Sequence, residues 1–405
     1  MKLKPTRAPS KKLLRLRMSP LRRACVALRV ALVAAGGLAA SAAFAADIYV
    51  DASAADGGDG SEGSPFNVLQ AGIDAAAPGD TVHVLPGTYA PIQTKTDGAD
   101  GARITVVAEP PLEAVVAVEV DDQIALRAQH THHTFDGLVF DEGYHHRDAV
   151  LTDGADHLEL LGVEVRRSDR DCVDLRTVTD VLIADSYIHH CVNGENGEQL
   201  DAHGVTGDAV FGLTIRDTEI YMVSGDSVQL SPPREPWDDL VIEGCVLWNA
   251  PLDEAVASLP VGAVIGENAL DTKVGDGLNG GGQRPSVHVI DTVVAGWRGA
   301  ITNQAAFNLK EEIDAVIERV SVRDSEIAFR LRAPATVRVQ NAVVEDVDVA
   351  FRLEDGLDGA RLLHNTIGAL VGAAFTDAGG DPVGLVVKNN LILGDLVPPP
   401  ADGDP

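Results

Sequence analysis

Short apolar phrases recur along most of the chain with the same internal spacing. An apolar residue is followed by four mostly polar or small positions and then by a second apolar residue. Because side chains alternate between the faces of a strand, this spacing requires a corner between the two apolar residues, and Asp, Asn and Gly provide turn chemistry there. The phrase is found at 183–188, 215–220, 242–247, 289–294, 317–322, 339–344, 362–367 and 387–392.

A second phrase precedes the corner in each repeat and predicts a half-buried strand. In Val173-Asp174-Leu175 and Phe351-Arg352-Leu353 the outer residues are apolar and the middle one is polar. The phrases recur in steps of 22 to 32 residues, with a single step of 47, and helical periodicity is scarce. Such a pattern is typical of the coils of a parallel β solenoid, and it fits neither a leucine-rich repeat nor a β propeller.

The opening of the repetitive region adds a family resemblance. Residues 48–51, 57–60, 64–66, 78–82 and 85–89 read IYVD, GGDG, SPF, PGDTV and LPGTY. With these motifs the chain resembles the right-handed parallel β-helix proteins of the pectate-lyase-like superfamily over about residues 47 to 395. The resemblance implies an all-β right-handed parallel β-helix with a short N-terminal capping helix. That helix would use one face, formed by Phe66, Leu69, Gln70, Ile73 and Ala76.

Charge is distributed unevenly and predicts export. Ten of the 32 basic residues lie in Met1 to Ala45, which has no acidic residue, and the remainder sets 22 basic against 61 acidic residues. The basic start, the apolar stretch from Val30 to Leu38 and the sequence Ala43-Phe44-Ala45 are typical of a signal peptide at 1–45. We expect a secreted or periplasmic protein with no membrane span after cleavage, and its acidity argues against nucleic acid as a partner.

The remaining chain is predicted to form one β-helix domain at 46–395, followed by a disordered tail at 396–405. The hydrophobic content of the whole chain, 45%, is ample for a core. Signal removal would leave Cys172, Cys191 and Cys245, an odd number without metal-site spacing. Buried, apolar-like thiols are the favoured interpretation for all three, and one oxidised pair remains open.

Function depends on the side chains that point outward on neighbouring coils, which lie about 5 Å apart. Aligning the half-buried strands predicts one outward row that contains Asp174, Asp201, Gln229, Asp271 and Arg330, and a second row two residues later that contains His203 and Lys273. Like charges stacked in this way require a compensating cation, and oxygen-only ligands suit Ca²⁺. The predicted ligands are Asp201, Asp226, Glu267 and Asp271.

Lys273 follows the long repeat step and lies between two predicted loops. In calcium-dependent lyases of the resembled superfamily a basic residue removes the proton next to a uronic carboxylate, so the resemblance implies that Lys273 is the base. His203 and Arg298 are the further candidate catalytic residues. The substrate-binding candidates are Arg330 and Arg332, which fit carboxylates, together with Trp297 and Gln229.

These residues predict a Ca²⁺-dependent lyase that cleaves a uronic-acid-containing polysaccharide by β-elimination, with an acidic polysaccharide as partner and a monomer as the working state. Glycoside hydrolysis and uronate C5-epimerisation on the same face remain alternatives. A non-catalytic solenoid that binds glycan or serves an envelope structure is the third alternative. For each candidate residue, a solvated surface charge or a packed side chain is the competing interpretation.

Overall fold

The structure, a computed structural model, describes residues 45–194, 200–230, 235–250, 262–274, 284–299, 301–354, 356–357, 359–380 and 382–394. In these residues the named strands pair in parallel with strands of the neighbouring coils, and about 11 coils stack into a β solenoid. Apart from its last residue, the predicted signal peptide lies outside the described residues, as does the predicted tail. The domain limits 46–395 therefore stay predictions.

Each coil contributes strands to three stacks. The first stack contains Asp47–Val50, Thr81–Val84, Ile104–Ala108, His133–Asp136, Glu159–Leu161, the ends of Val173–Ala184 and Val205–Arg216, Asp238–Glu243, Ser286–Ile290, Asp314–Glu318, Thr336–Gln340, Arg361–Leu363 and Val386–Lys388. The second stack contains Gly87–Tyr89, Ala114–Ala117, Val139–Asp141, Glu164–Ser168, Tyr187–Cys191, Glu219–Val223, Val246–Trp248, Val293–Ala295, the beginnings of Ser321–Arg332 and Val343–Glu354, Thr366–Ile367 and Leu391–Ile392.

The third stack carries the candidate functional face. It contains Ile92–Gln93, Leu126–Ala128, Val150–Thr152, the beginnings of Val173–Ala184 and Val205–Arg216, Val228–Leu230, Asn268–Thr272, Ala305–Leu309, the ends of Ser321–Arg332 and Val343–Glu354, and Ala373–Asp377.

Left-handed backbone turns the chain between the first and second stacks. The residues predicted at these corners have φ near +50° to +66°: Asp185, Asp217, Gly244, Asp291, Asn341 and Asn389. Asn, Asp and Gly adopt this region at lower cost than other residues, which explains their recurrence in the sequence. The corner prediction is confirmed.

The core runs along the axis of the solenoid as columns of equivalent residues. Phe307, Phe329, Phe351 and Phe375 occupy one column of the third stack, with stacked rings whose centroids lie 5.1 to 5.5 Å apart. Mostly aliphatic residues fill the corresponding columns of the other two stacks, which also contain the aromatic residues Phe135 and Phe140. Each coil therefore buries its apolar residues mainly against its two neighbours, as a solenoid requires.

A helix at Leu69–Ala75 packs on the first coil. Leu69 and Ile73 are buried, and a Cβ on Gly72 would lie 2.6 Å from Val50 Cγ2, so the helix comes very close to the core column at this point. That this helix serves as the cap implied by the family resemblance stays a prediction.

A disulfide joins Cys172 and Cys191, whose Cα atoms are 5.5 Å apart. Cys172 directly precedes the strand Val173–Ala184 and Cys191 ends the strand Tyr187–Cys191, so the bond links two corners of the same coil. The favoured interpretation of three thiols is wrong for this pair. Cys245 is a free and buried thiol, as that interpretation expects.

Candidate functional site

The observed register of the third stack corrects the predicted outward rows. The outward column reads Asp174, Thr206, Gln229, Asp271, Asn308, Arg330 and Arg352. Thr206 therefore occupies the place predicted for Asp201, and Asp208 pairs with Arg176 in the row predicted to contain His203. The alignment failed because the chain between two coils at this point is longer than the repeat pattern indicates.

Asp226 and Asp271 form the buried acidic centre of this face, and each is only 1% exposed. Gln229 Nε2 donates to Asp226 Oδ2 and, at 3.4 Å, to Asp271 Oδ2, so one amide bridges the two carboxylates. Asn268 Nδ2 donates to Asp226 Oδ1 at 2.9 Å. Burial, followed by the charge of Asp271, raises the pKa of Asp226 well above its ordinary value.

Lys310 supplies the direct counter-charge to Asp271. Its Nζ lies 2.9 Å from a carboxylate oxygen of Asp271, and Asn308 Nδ2 donates to Asp271 Oδ1 at 2.9 Å. Burial raises the pKa of Asp271, and the ion pair with Lys310 opposes that shift. Lys310 was missed in the sequence because it lies 39 residues from Asp271, and only the coil register brings the two together.

Lys273 lies at the edge of the same network with a quarter of its side chain exposed. Its Nζ donates to Gln229 Oε1 at 3.1 Å and is 3.9 Å from Asp271 Oδ2. The indole N–H of Trp237 donates to the Lys273 carbonyl at 2.8 Å and fixes the backbone there. The structure thus brings Lys273, Gln229 and Asp271 together. It also shows that Gln229, 2% exposed, orients this lysine from within the network.

His203 lies three positions before the outward column, between Asp171 and Asp226. Its backbone N–H donates to Asp171 Oδ1 at 2.9 Å, and its Nδ1 accepts the backbone N–H of Asp226 at 2.8 Å. This second bond places the ring proton on Nε2. The predicted row of His203 is wrong, and the structure places this residue beside Asp171 and Asp226.

Two glycines allow these coils to approach each other closely. A Cβ on Gly225 would lie 2.4 Å from His203 Nδ1, and a Cβ on Gly266 would lie 1.6 Å from the carbonyl oxygen of Gly225. Neither position accepts a side chain without displacement of its neighbours. The pairs Gly225-Asp226 and Gly266-Glu267 are therefore the sequence signal that could have located this site.

The four predicted calcium ligands lie within electrostatic range of one another. Burial raises the pKa of Glu267, and the charges of Asp201 and Asp271 raise it further. The charges of Asp271, Glu267 and Asp201 likewise raise the pKa of Asp226. Asp201 is exposed and Glu267 is half-buried, so these two carboxylates are the accessible members. Their oxygen-only chemistry fits Ca²⁺, although Asp271 already has a counter-ion in Lys310.

A second acidic group adjoins this network. One carboxylate oxygen from each of Asp148, Asp171 and Asp174 lies within 4.8 Å of the others. Burial raises the pKa of Asp171 to about 6 and that of Asp148 above its ordinary value. Arg176 pairs with Asp174 and lies 4.0 Å from Asp148. The sequence predicted Asp174 in the outward row but not as a metal ligand.

Arginines continue the face toward its C-terminal end, as predicted, but they surround a carboxylate. Arg330 donates to both oxygens of Glu354 at 3.0 and 3.1 Å, Arg332 Nε is 3.3 Å from Glu354, and Arg352 also pairs with it. Three guanidinium groups share one carboxylate, so these four side chains together carry two positive charges.

Trp297 and Arg298 do not occupy the predicted positions. Trp297 is completely buried in the core, so its predicted contact with substrate is wrong. Arg298 Nη2 donates to the carbonyl oxygens of Ser325 and Asp346, and its Nε lies 3.2 Å from Asp324. These bonds link neighbouring coils. Arg298 therefore stabilises the stacking of the coils, a role that the sequence did not indicate.

Comparison with known proteins identifies the fold. No protein-family model matches the sequence, and no curated protein matches it. Among solved structures, a rhamnogalacturonan lyase is 14% identical with a TM-score of 0.57, over 85% of this chain and 87% of that chain. Pectate lyase Pel9A is 14% identical with a TM-score of 0.54, over 85% and 78%.

A third solved structure is similar to the same degree. A mannuronic acid specific polysaccharide family 6 lyase from human gut microbiota is 13% identical with a TM-score of 0.54, over 79% of this chain and 77% of that chain. The protein has the fold of a pectate-lyase-like parallel β-helix, as the sequence predicted. In the described part of the chain, no helix is long and apolar enough to span a bilayer.

Proposed function

We propose that the protein is an exported polysaccharide lyase that cleaves a uronic-acid-containing chain by β-elimination, with Lys273 as the base. The observation that supports this most directly is that two lysines of the network have different partners. Lys310 and Asn308 satisfy Asp271, while Lys273 is held by the neutral amide oxygen of Gln229 at the accessible edge of the network. Asp271 is 3.9 Å from the Lys273 Nζ and 2.9 Å from that of Lys310, and a weaker carboxylate contact favours a lysine that acts as a base.

In the proposed reaction, the neutral Lys273 amine removes the proton on the carbon next to the uronic carboxylate. The electron pair left on that carbon forms a double bond as the bond to the leaving sugar oxygen breaks. That oxygen takes up a proton from water, while the Nε2–H of His203, whose Nδ1 accepts a backbone N–H, can donate a hydrogen bond to it as the bond breaks. The arginines around Glu354 would hold the carboxylates of neighbouring sugar residues.

Ca²⁺ is the proposed cofactor, and when bound it would offset the charge of the substrate carboxylate and make the adjacent proton more acidic. Two groups of carboxylates are the candidate ligands, and among the described residues only the second brings three carboxylate oxygens within 4.8 Å of one another. The first is the predicted set Asp201, Asp226, Glu267 and Asp271, and the second is Asp148, Asp171 and Asp174. Calcium titration of Glu267→Gln and Asp171→Asn variants, with Asp47→Asn as a distant control, assigns the ion to one group.

Export is part of the same proposal. The disulfide Cys172–Cys191 supports an oxidising compartment, which agrees with the predicted signal peptide. An acidic polysaccharide is the proposed partner, and a monomer is the proposed working state.

The proposal is tested by incubating the protein with pectic, alginate and glycosaminoglycan chains, with Ca²⁺ or a chelator. Elimination creates an unsaturated product that absorbs in the ultraviolet together with a new reducing end. Hydrolysis creates reducing ends without the absorbance, and epimerisation exchanges the C5 proton with deuterated solvent without cleavage. Absence of all three signals on every substrate would overturn the enzymatic proposal in favour of a binding protein.

A further inference from the structure

A groove of about 480 Å³ lies on the outer surface of the first strand stack, whereas the proposed catalytic network lies on the third. Outward residues of five successive coils meet in register along it: Val241, His288, Val316, Arg338 and Arg361. The proposed reaction uses none of these residues.

The groove contains two neighbouring arginines without counter-ions. Arg338 and Arg361 are in register on adjacent coils, where like charges destabilise each other. Neither side chain forms an ion pair or hydrogen bond with any described residue, although most other described arginines are paired, as Arg284 and Arg319 are. Such a pair is unusual in a chain with 61 acidic and 32 basic residues, and it is complementary to a ligand with two adjacent negative charges.

The remainder of the groove supports a carbohydrate ligand. Val241 and Val316 provide apolar surface on either side of His288, and the His288 Nε2 has no hydrogen-bond partner among the described residues. The carboxylate of Asp314 at the rim is already paired with Arg284 at 2.8 Å, so it opposes an anion less. Adjacent coils are about 4.8 Å apart, a separation similar to the length of one sugar residue in a chain.

We propose that this groove is a second glycan-binding site in which Arg338 and Arg361 hold the carboxylates of two successive uronate residues. The binding groove is inferred from the positions of its residues alone, whereas the choice of a uronate chain as its ligand rests on the proposed function. A site on a separate face would keep the enzyme on a long chain between cleavage events.

The test counts binding sites by calorimetry in the Lys273→Ala background, with hexamers of galacturonate and of mannuronate as probes. The expected result is the loss of one binding equivalent in the Arg338→Ala/Arg361→Ala variant. Arg323→Ala, which removes an exposed arginine from the second stack, keeps the parental number, and Arg338→Lys/Arg361→Lys retains weakened binding. An uncharged maltohexaose does not bind in the groove.

Equal numbers of binding equivalents in the parent and the double alanine variant would overturn this second site. Binding of maltohexaose that the double variant loses would overturn its selectivity for acidic chains. Cleavage is assayed separately with the wild-type lysine, so a protein that binds in the groove but cleaves nothing contradicts only the proposed reaction. A protein that cleaves but has no arginine-dependent equivalent contradicts only the groove.

Discussion

Lys310, and not Lys273, forms the direct ion pair with Asp271, at 2.9 Å against 3.9 Å. Removing one partner of a buried pair leaves an uncompensated charge and costs about 3 kcal/mol or more. We therefore expect Lys310→Met to lower the free energy of unfolding by about 3 kcal/mol, and Lys273→Met by about 1 kcal/mol, the value of one hydrogen bond. Denaturant titration of both variants measures the difference, and equal losses would refute the assigned pairing.

Gly225 is expected to be essential although it carries no reactive group. In Gly225→Ala the new methyl group would lie 2.4 Å from His203 Nδ1, so His203 and the backbone of Asp226 must move apart. Activity should fall at least tenfold on any substrate that the protein cleaves. Gly63→Ala is the matched control, because a Cβ there meets no atom within 4 Å. Full activity in Gly225→Ala would show that the close approach of these coils does not position the site.

The disulfide should be detectable as a linked peptide containing Cys172 and Cys191 in a digest made without reductant. A disulfide that closes a loop of about this size stabilises a folded protein by about 3 kcal/mol. Replacing both cysteines by Ser should therefore lower the unfolding midpoint markedly. Cys245→Ala is the control and should retain the parental midpoint within a few degrees. In the folded protein Cys245 is buried, so a thiol reagent should label it only after denaturation.

The buried carboxyl group of Glu142 is expected to make the free energy of unfolding depend on pH. It is completely buried, accepts the backbone N–H groups of His145 and Arg147, and has its pKa raised to about 8 by burial. At pH values between the ordinary pKa of a glutamate and about 8, Glu142 keeps its proton in the folded state but loses it in the unfolded chain. The free energy of unfolding must therefore fall as pH rises through this window and level off above it.

Glu142→Gln removes that dependence because the amide does not ionise. Its stability relative to the parent should rise between pH 5 and 8, by about 1.4 kcal/mol for each pKa unit of the shift. Glu113→Gln, at an exposed carboxylate, should show no such trend across the same range. A pH-independent difference between Glu142→Gln and the parent would refute the raised pKa.

The sequence predicted the fold well because solenoid coils repeat the same local chemistry. The apolar pair Ile183 and Ile188 and the left-handed corner at Asp185 recur coil after coil, so the pattern needs no long-range information. The site was harder to predict because it depends on register. Connections longer than the repeat pattern indicates placed Thr206 where Asp201 was expected, and the coil register brought in Lys310 from a distant position in the sequence.

Burial was the other property that the pattern could not supply. The alternation at Val228-Gln229-Leu230 predicts an outward Gln229. Neighbouring side chains nevertheless bury it, and its amide donates a hydrogen bond to Asp226 and accepts one from Lys273. Trp297 was predicted to bind substrate because an aromatic residue beside Arg and Gly is compatible with either the surface or the core, and only its packing in the structure distinguishes the two.

The central claim is that Lys273 removes a proton in an elimination reaction. The most direct measurement is the rate at which the ultraviolet absorbance of an unsaturated uronic product appears, compared among the parent, Lys273→Ala and the exposed control Lys388→Ala. We predict product formation by the parent and by Lys388→Ala, and a loss of at least a thousandfold in Lys273→Ala without loss of the fold. Equal rates in the parent and Lys273→Ala would contradict this claim.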